Sequence, residues 1–120
     1  SIHRSPGMKY RHYSPNAKII LIEGPNDKVK NKTLQLLSEF KKHGEKVGVL
    51  STTNTKYKSD MTVFLGKKLD IVAANLFKTF REFDAKKMDV ILVQGIRRNG
   101  LGLGIMNRLG KAAYKKIKIN

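Results

Sequence analysis

The densest group of chemically capable residues in this sequence is Gly95-Ile96-Arg97-Arg98-Asn99-Gly100-Leu101-Gly102-Leu103-Gly104, where two arginines precede three alternating glycines. It falls where an apolar run gives way to a helical pattern. A chain that turns there exposes backbone N–H groups at the positive end of a helix dipole. Such a turn can hold a phosphate or carboxylate, with Arg97 or Arg98 closing over it. The same glycines also suit a tight turn and close packing of helix on sheet. The spacing is G-x-G-x-G, not the dinucleotide fingerprint, and no Lys-Ser/Thr follows as in a phosphate loop.

A second group lies near the start of the chain. Met8-Lys9-Tyr10-Arg11-His12-Tyr13 interleaves cations with rings, which can stack on bases or on an adenine while the cations meet phosphates. Other chemistries find little support. His3, His12 and His43 lack metal-ligand spacing, no paired carboxylates stand where acid–base work would need them, and no nucleophilic triad is present. With no cysteine, disulfides, thiolate zinc sites, iron–sulfur ligation and thiol nucleophiles are excluded, and a reducing cytoplasmic setting is the expectation.

The elements that must position these groups follow from hydrophobic spacing. At 120 residues and 40% apolar composition the chain has the length of about one domain. Residues 1–16 hold two of the three prolines and two of the three histidines with no apolar period, so they are expected to be an arm or linker, and residues 17–120 the folded domain. Residues 17–22 suit a strand buried on both faces, closed by Gly24-Pro25. Asn26 or Asp27 then caps a helix to about His43, with Val29, Thr33, Leu36, Leu37 and Phe40 on one face and Gly44 as the stop. Val47–Leu50 and Met61–Leu65 are strand candidates. Leu69 to Phe83 is a second amphipathic helix, and Met88–Val93 the next buried strand. A last helix is expected from about Asn99 past Tyr114, burying Leu101, Ile105, Leu109 and Ala112.

Strands alternating with helices of this length predict an α/β domain: a Rossmann-like three-layer structure with three helices and a mainly parallel sheet of four or five strands. The runs at 17–22 and 88–93 are the most uniformly apolar and should be central. Ligands of such sheets bind beyond the carboxyl ends of the strands. The candidate anion or ligand site therefore comprises Gly24, Ser51, Thr52, Arg97, Arg98, Gly100 and Gly102.

Lys+Arg outnumber Asp+Glu by 25 to 9, a formal charge of +16 that favours polyanionic partners. The basic pairs Lys41-Lys42, Lys67-Lys68, Lys86-Lys87, Arg97-Arg98 and Lys115-Lys116 are spread through the chain and form no single stripe. Three of them, at 41–42, 86–87 and 115–116, fall where helices are expected to end, and cations there are favoured by the helix dipole. A weak contact with tRNA or another polyanion is one expectation, and a solvated basic surface the other. No apolar run approaches the roughly 20 residues of a membrane span, and Ser1-Ile2-His3-Arg4 lacks the apolar core of a signal peptide. A soluble, cytoplasmic protein without a membrane partner is expected. None of these features bears on oligomeric state.

The segment Arg4-Ser5-Pro6-Gly7-Met8-Lys9-Tyr10-Arg11-His12-Tyr13-Ser14-Pro15 resembles the interdomain linker of the long, two-domain threonylcarbamoyl-AMP synthases. Residues 99–113 resemble the closing helix of that family's C-terminal accessory domain, so the resemblance covers essentially the whole chain. It implies a parent enzyme that joins L-threonine, bicarbonate or carbon dioxide and ATP into threonylcarbamoyl-adenylate with release of pyrophosphate, for modification of a tRNA adenosine. ATP, with a magnesium ion, would belong to that parent, and this chain would hold no cofactor. The catalytic YrdC-like domain precedes the arm in that family and is expected to lie outside these 120 residues as an intramolecular partner.

In the family the linker closes the catalytic cleft, which singles out Pro6, Gly7, Met8, Tyr10, His12, Tyr13 and Pro15. Prolines stiffen such an arm, Gly7 permits a bend, and the rings offer flat apolar area for a lid. Gly104, where alanine is expected, and Gly110, where a larger residue is common, depart from the closing-helix pattern, each at about 1 kcal/mol of helix propensity. Two other functions remain open from the sequence: a stand-alone basic RNA-binding module, and a regulatory domain that senses a small molecule at the strand ends.

Overall fold

The structure is a computed structural model that describes residues 16–66 and 68–120. The strands are β1 (Lys18–Glu23), β2 (Val47–Ser51), β3 (Met61–Phe64), β4 (Val90–Gln94) and β5 (Lys115–Lys118), and the helices α1 (Asn26–Lys42), α2 (Leu69–Ala85) and α3 (Leu101–Ala112). The strands form one sheet in the order β3-β2-β4-β1-β5, with every pairing parallel. Ile20 lies opposite Leu92, which in turn lies opposite Val49. As the apolar runs predict, β4 is the middle strand and β1 lies beside it.

Period-2 alternation divides the core into two layers. Ile20 and Ile22 of β1 and Val90 and Leu92 of β4 meet Val29 and Leu37 of α1 on one face. On the other, Ile19, Leu21, Ile91 and Val93 meet Leu76 and Phe80 of α2 and Ile105 and Leu109 of α3. The passage from β2 to the parallel β3 has no helix. Tyr57, 8% exposed, plugs into the α1 face and gives this loop its apolar anchor.

Several boundaries differ from the sequence reading, each for a local reason. Neither Asn26 nor Asp27 caps α1: Pro25 holds the cap position without a side-chain hydrogen bond, and Val29 N–H donates to the Pro25 carbonyl at 2.9 Å. Met88 is not in β4, because its N–H still bonds the Phe83 carbonyl and Lys87, at φ 61, makes the turn. The last helix stops at Ala112 and Tyr114 is exposed. Residues 115–118 form a fifth strand, so Lys115-Lys116 opens an edge strand and does not close a helix. Half-buried Ile117 and Ile119 alternate there with exposed Lys116 and Lys118, and lysines on an edge discourage pairing with another chain. Leu101 is 58% exposed, because Gly102 takes the inward position at the start of α3.

Candidate functional site

Adjacent strands β1 and β4 send their chains in opposite directions. From Glu23 the chain crosses to α1 on one face, and from Gly95 it crosses to α3 on the other. Such a divergence is a topological switch point, where an open parallel sheet leaves a crevice past its carboxyl ends. Here the crevice encloses about 900 Å³, and Gly24, Asn26, Thr52, Gly95, Arg97 and Lys118 are among its walls.

Two backbone hydrogen bonds and one ion pair fix the rim. Gly95 N–H donates to the Ile22 carbonyl and Ile119 N–H to the Glu23 carbonyl, both at 2.8 Å. Gly24, at φ 151, adopts a backbone that glycine tolerates, and a Cβ there would lie 2.6 Å from the Ile119 carbonyl oxygen. Across the rim Arg98 grips Glu23 with two parallel bonds, Nε to Oε1 and Nη2 to Oε2, each 3.0 Å. Hydrogen bonding to the Glu23 carboxylate raises the Arg98 pKa above its ordinary value, so the guanidinium stays charged. Arg97 is exposed and makes no ion pair among the described residues.

Of the residues the sequence nominates, Gly24, Thr52, Arg97 and Arg98 line this crevice. Ser51 is fully buried, its Oγ 3.1 Å from Gln94 Oε1 and donating to the Thr53 carbonyl at 2.6 Å, so it braces the wall from behind. Gly100, at φ 54, makes the turn into α3. Gly102 lets the helix approach the Arg97 carbonyl, which a Cβ would strike. The amides expected to cradle an anion are partly committed: Gly102 N–H bonds the Asn99 carbonyl at 2.9 Å and Leu103 N–H the Gly100 carbonyl at 3.2 Å. Cationic side chains are the stronger anion-binding feature. The linker residues Pro6, Gly7, Met8, Tyr10, His12, Tyr13 and Pro15 lie outside the described residues.

The residues nominated from the sequence leave out Gln94, at the start of the inspected strand exit, which organises the floor. Its Oε1 accepts from Thr52 N–H at 3.2 Å and lies 3.1 Å from Ser51 Oγ, while Nε2 donates to Thr33 Oγ1 at 3.2 Å and Tyr57 Oη at 2.9 Å. An amide ending an otherwise apolar strand run was the available signal. His43 lies at the end of α1 with Nδ1 2.8 Å from the Glu39 carbonyl oxygen. Among the described residues no His, Asp and Glu gather into a metal-binding group, and no helix is long and apolar enough to cross a membrane.

An all-parallel five-stranded sheet, helices on both faces and a crevice at the switch point define an α/β domain of Rossmann-like architecture. The model of the family described as threonylcarbamoyl-AMP synthase, C-terminal domain, matches residues 1–114, and the chain belongs to that family. It is 47% identical to the threonylcarbamoyl-AMP synthase of Pyrococcus abyssi, over 97% of this chain and 34% of that protein. The Bacillus subtilis synthase is 40% identical over 94% of this chain and 33% of its own length. The chain thus spans about a third of the length of these relatives. The crystal structure of P. abyssi Sua5 complexed with L-threonine superposes with a TM-score of 0.85 at 47% identity, covering 97% of this chain and 34% of that one. The crystal structure of the C-terminal Sua5 domain from Pyrococcus horikoshii superposes with a TM-score of 0.74 at 43% identity, covering 88% of this chain and all of that one.

Proposed function

We propose that this chain serves a cytoplasmic threonylcarbamoyl-AMP synthase as its linker and accessory domain, holding the arm over a catalytic cleft that belongs to the other two-thirds of the protein. The observation that carries this reading is the family match from residue 1, which takes in the arm as well as the folded body. In the parent, L-threonine, bicarbonate or carbon dioxide and ATP are joined into threonylcarbamoyl-adenylate with release of pyrophosphate, and the product serves tRNA modification. The nucleotide and its magnesium ion belong to the catalytic domain.

The physical support is the anchorage of the arm. Asn16 N–H donates to Asp84 Oδ1 at 2.9 Å, and Lys18 N–H donates to the Asp89 carbonyl at 3.0 Å. The arm therefore leaves a pinned point at the amino edge of the sheet, and a rigid root lets a short strap return to one position on a neighbouring surface. The test joins a catalytic domain of the family to this chain and measures pyrophosphate release. Replacing Tyr10, His12 and Tyr13 together by alanine should lower turnover by at least about tenfold if the arm closes the cleft. Unchanged turnover overturns the reading.

A further inference from the structure

The crevice between the exits of β1 and β4 plays no part in the reading above, and the proposal made for it stands or falls separately. We propose that it binds a small molecule with a phosphate or carboxylate head, and that the Glu23–Arg98 ion pair is a latch which that head opens.

Charge selects the head group. Arg97, Arg98 and Lys118 line the crevice against the single carboxylate of Glu23. Arg97 is exposed and pairs with no described carboxylate, so it meets an incoming anion first. Arg98 is held back. Its planar fork is filled by Glu23, whose side chain is only 15% exposed and packs where a Cβ on Gly95 would fall 2.8 Å from its Cγ. A phosphate or carboxylate presents the same two-oxygen edge that Glu23 presents, and so competes for the fork on equal geometry.

Shape selects the rest of the molecule. At about 900 Å³ the crevice is within the range of roughly 300–1,000 Å³ of small-molecule sites, far more than a bare inorganic anion needs. It continues into a smaller hollow of about 230 Å³, with which it shares Asn26, Thr52, Thr53 and Gly95 and whose walls include Val29 and Tyr57. An anionic head at Arg97 and a compact, less polar body over Val29 and Tyr57 fit this pair of spaces.

The test maps backbone amide shifts of the full chain with pyrophosphate, AMP and succinate, chloride holding ionic strength constant. Work on this chain by itself is justified by the P. horikoshii relative, solved as the C-terminal domain alone. Saturable shifts at Gly24, Thr52, Gly95 and Arg97 are expected. A response to AMP that extends to Val29 and Tyr57 identifies a phosphate head, and a response to succinate alone a carboxylate head. Losing one charged contact should raise Kd about tenfold in R97A, and E23Q, which frees Arg98, should lower Kd severalfold. Shifts that scatter over surface lysines without saturating, or a Kd unmoved by R97A, overturn the site. Unchanged or weaker binding by E23Q overturns the latch.

Discussion

The ring of Phe83 fills the space that a side chain at Gly48 would need: a Cβ there would fall 2.5 Å from Cε1 and 2.7 Å from Cδ1. Phe83 is fully buried at the end of α2, and Gly48 is the point of β2 over which that helix end lies. Overpacking a filled core costs about 1–3 kcal/mol. G48A should therefore lower the midpoint of urea unfolding by that equivalent, and an unchanged midpoint would show that the ring can move aside.

Asp60 gives the domain an acid-sensitive fastener. Its Oδ2 accepts from Val47 N–H at 2.8 Å and lies 3.2 Å from Lys41 Nζ. The backbone hydrogen bond from Val47, seconded by Lys41, holds its carboxyl below the ordinary value of 3.8. A folded-state pKa lowered in this way adds stability that is fully present above the unfolded value and is lost as pH falls through the folded one. The wild-type chain should lose stability below about pH 4, and D60N should flatten that acid limb. Added salt should weaken only the exposed Lys41 part. Chemical unfolding from pH 6 to pH 2.5 measures both effects.

Gln94, 5% exposed, bonds Thr52 N–H, Thr33 Oγ1 and Tyr57 Oη at once, with Ser51 Oγ 3.1 Å from its Oε1. Q94L keeps the volume but takes from Thr52 N–H and Tyr57 Oη their Gln94 partner, while Ser51 and Thr33 keep the Thr53 and Val29 carbonyls, and unpaired buried polar groups cost about 1–3 kcal/mol each. A loss of at least about 2 kcal/mol is expected, against about 1 kcal/mol or less for Y57F, which removes one contact. Thermal unfolding of the two variants side by side checks the order.

Two glycines of α3 should respond to alanine in opposite directions. Gly104 has open space around its missing Cβ and an ordinary backbone, so G104A should stabilise by about 0.5–1 kcal/mol through helix propensity. At Gly102 the same methyl would strike the Arg97 carbonyl, which is backbone and cannot rotate away. G102A should destabilise the fold and shift the amide resonances of residues 97–99. Equal effects from the two variants would contradict the packing described here.

Much of the architecture was legible because its causes are local. Branched apolar runs at 17–22 and 88–93, helical spacing from Val29 to Phe40 and from Leu69 to Phe83, and glycine stops at Gly24 and Gly44 need no distant partner to be read. Strand β5 escaped because four residues, three of them lysine, carry little apolar signal until the chain is seen to pair beside β1, with Ile117 opposite Ile22. Leu101 was misplaced because a periodic pattern cannot tell that a carbonyl from Arg97 claims the inward side of the first turn.

The nominated site divides along the same line. Chain order alone places Gly24, Thr52 and Arg97 after strands, hence at the carboxyl edge of any parallel sheet these strands form. That Ser51 turns inward to Gln94, and that Glu23 reaches Arg98 75 residues away, depends on β1 and β4 being neighbours. Periodicity and charge follow from covalent order, so they are written in the residues themselves. Strand neighbours, buried amide partners and the pairing of Arg98 while Arg97 makes no ion pair among the described residues arise only when distant segments compete for the same space, and only the folded chain decides them.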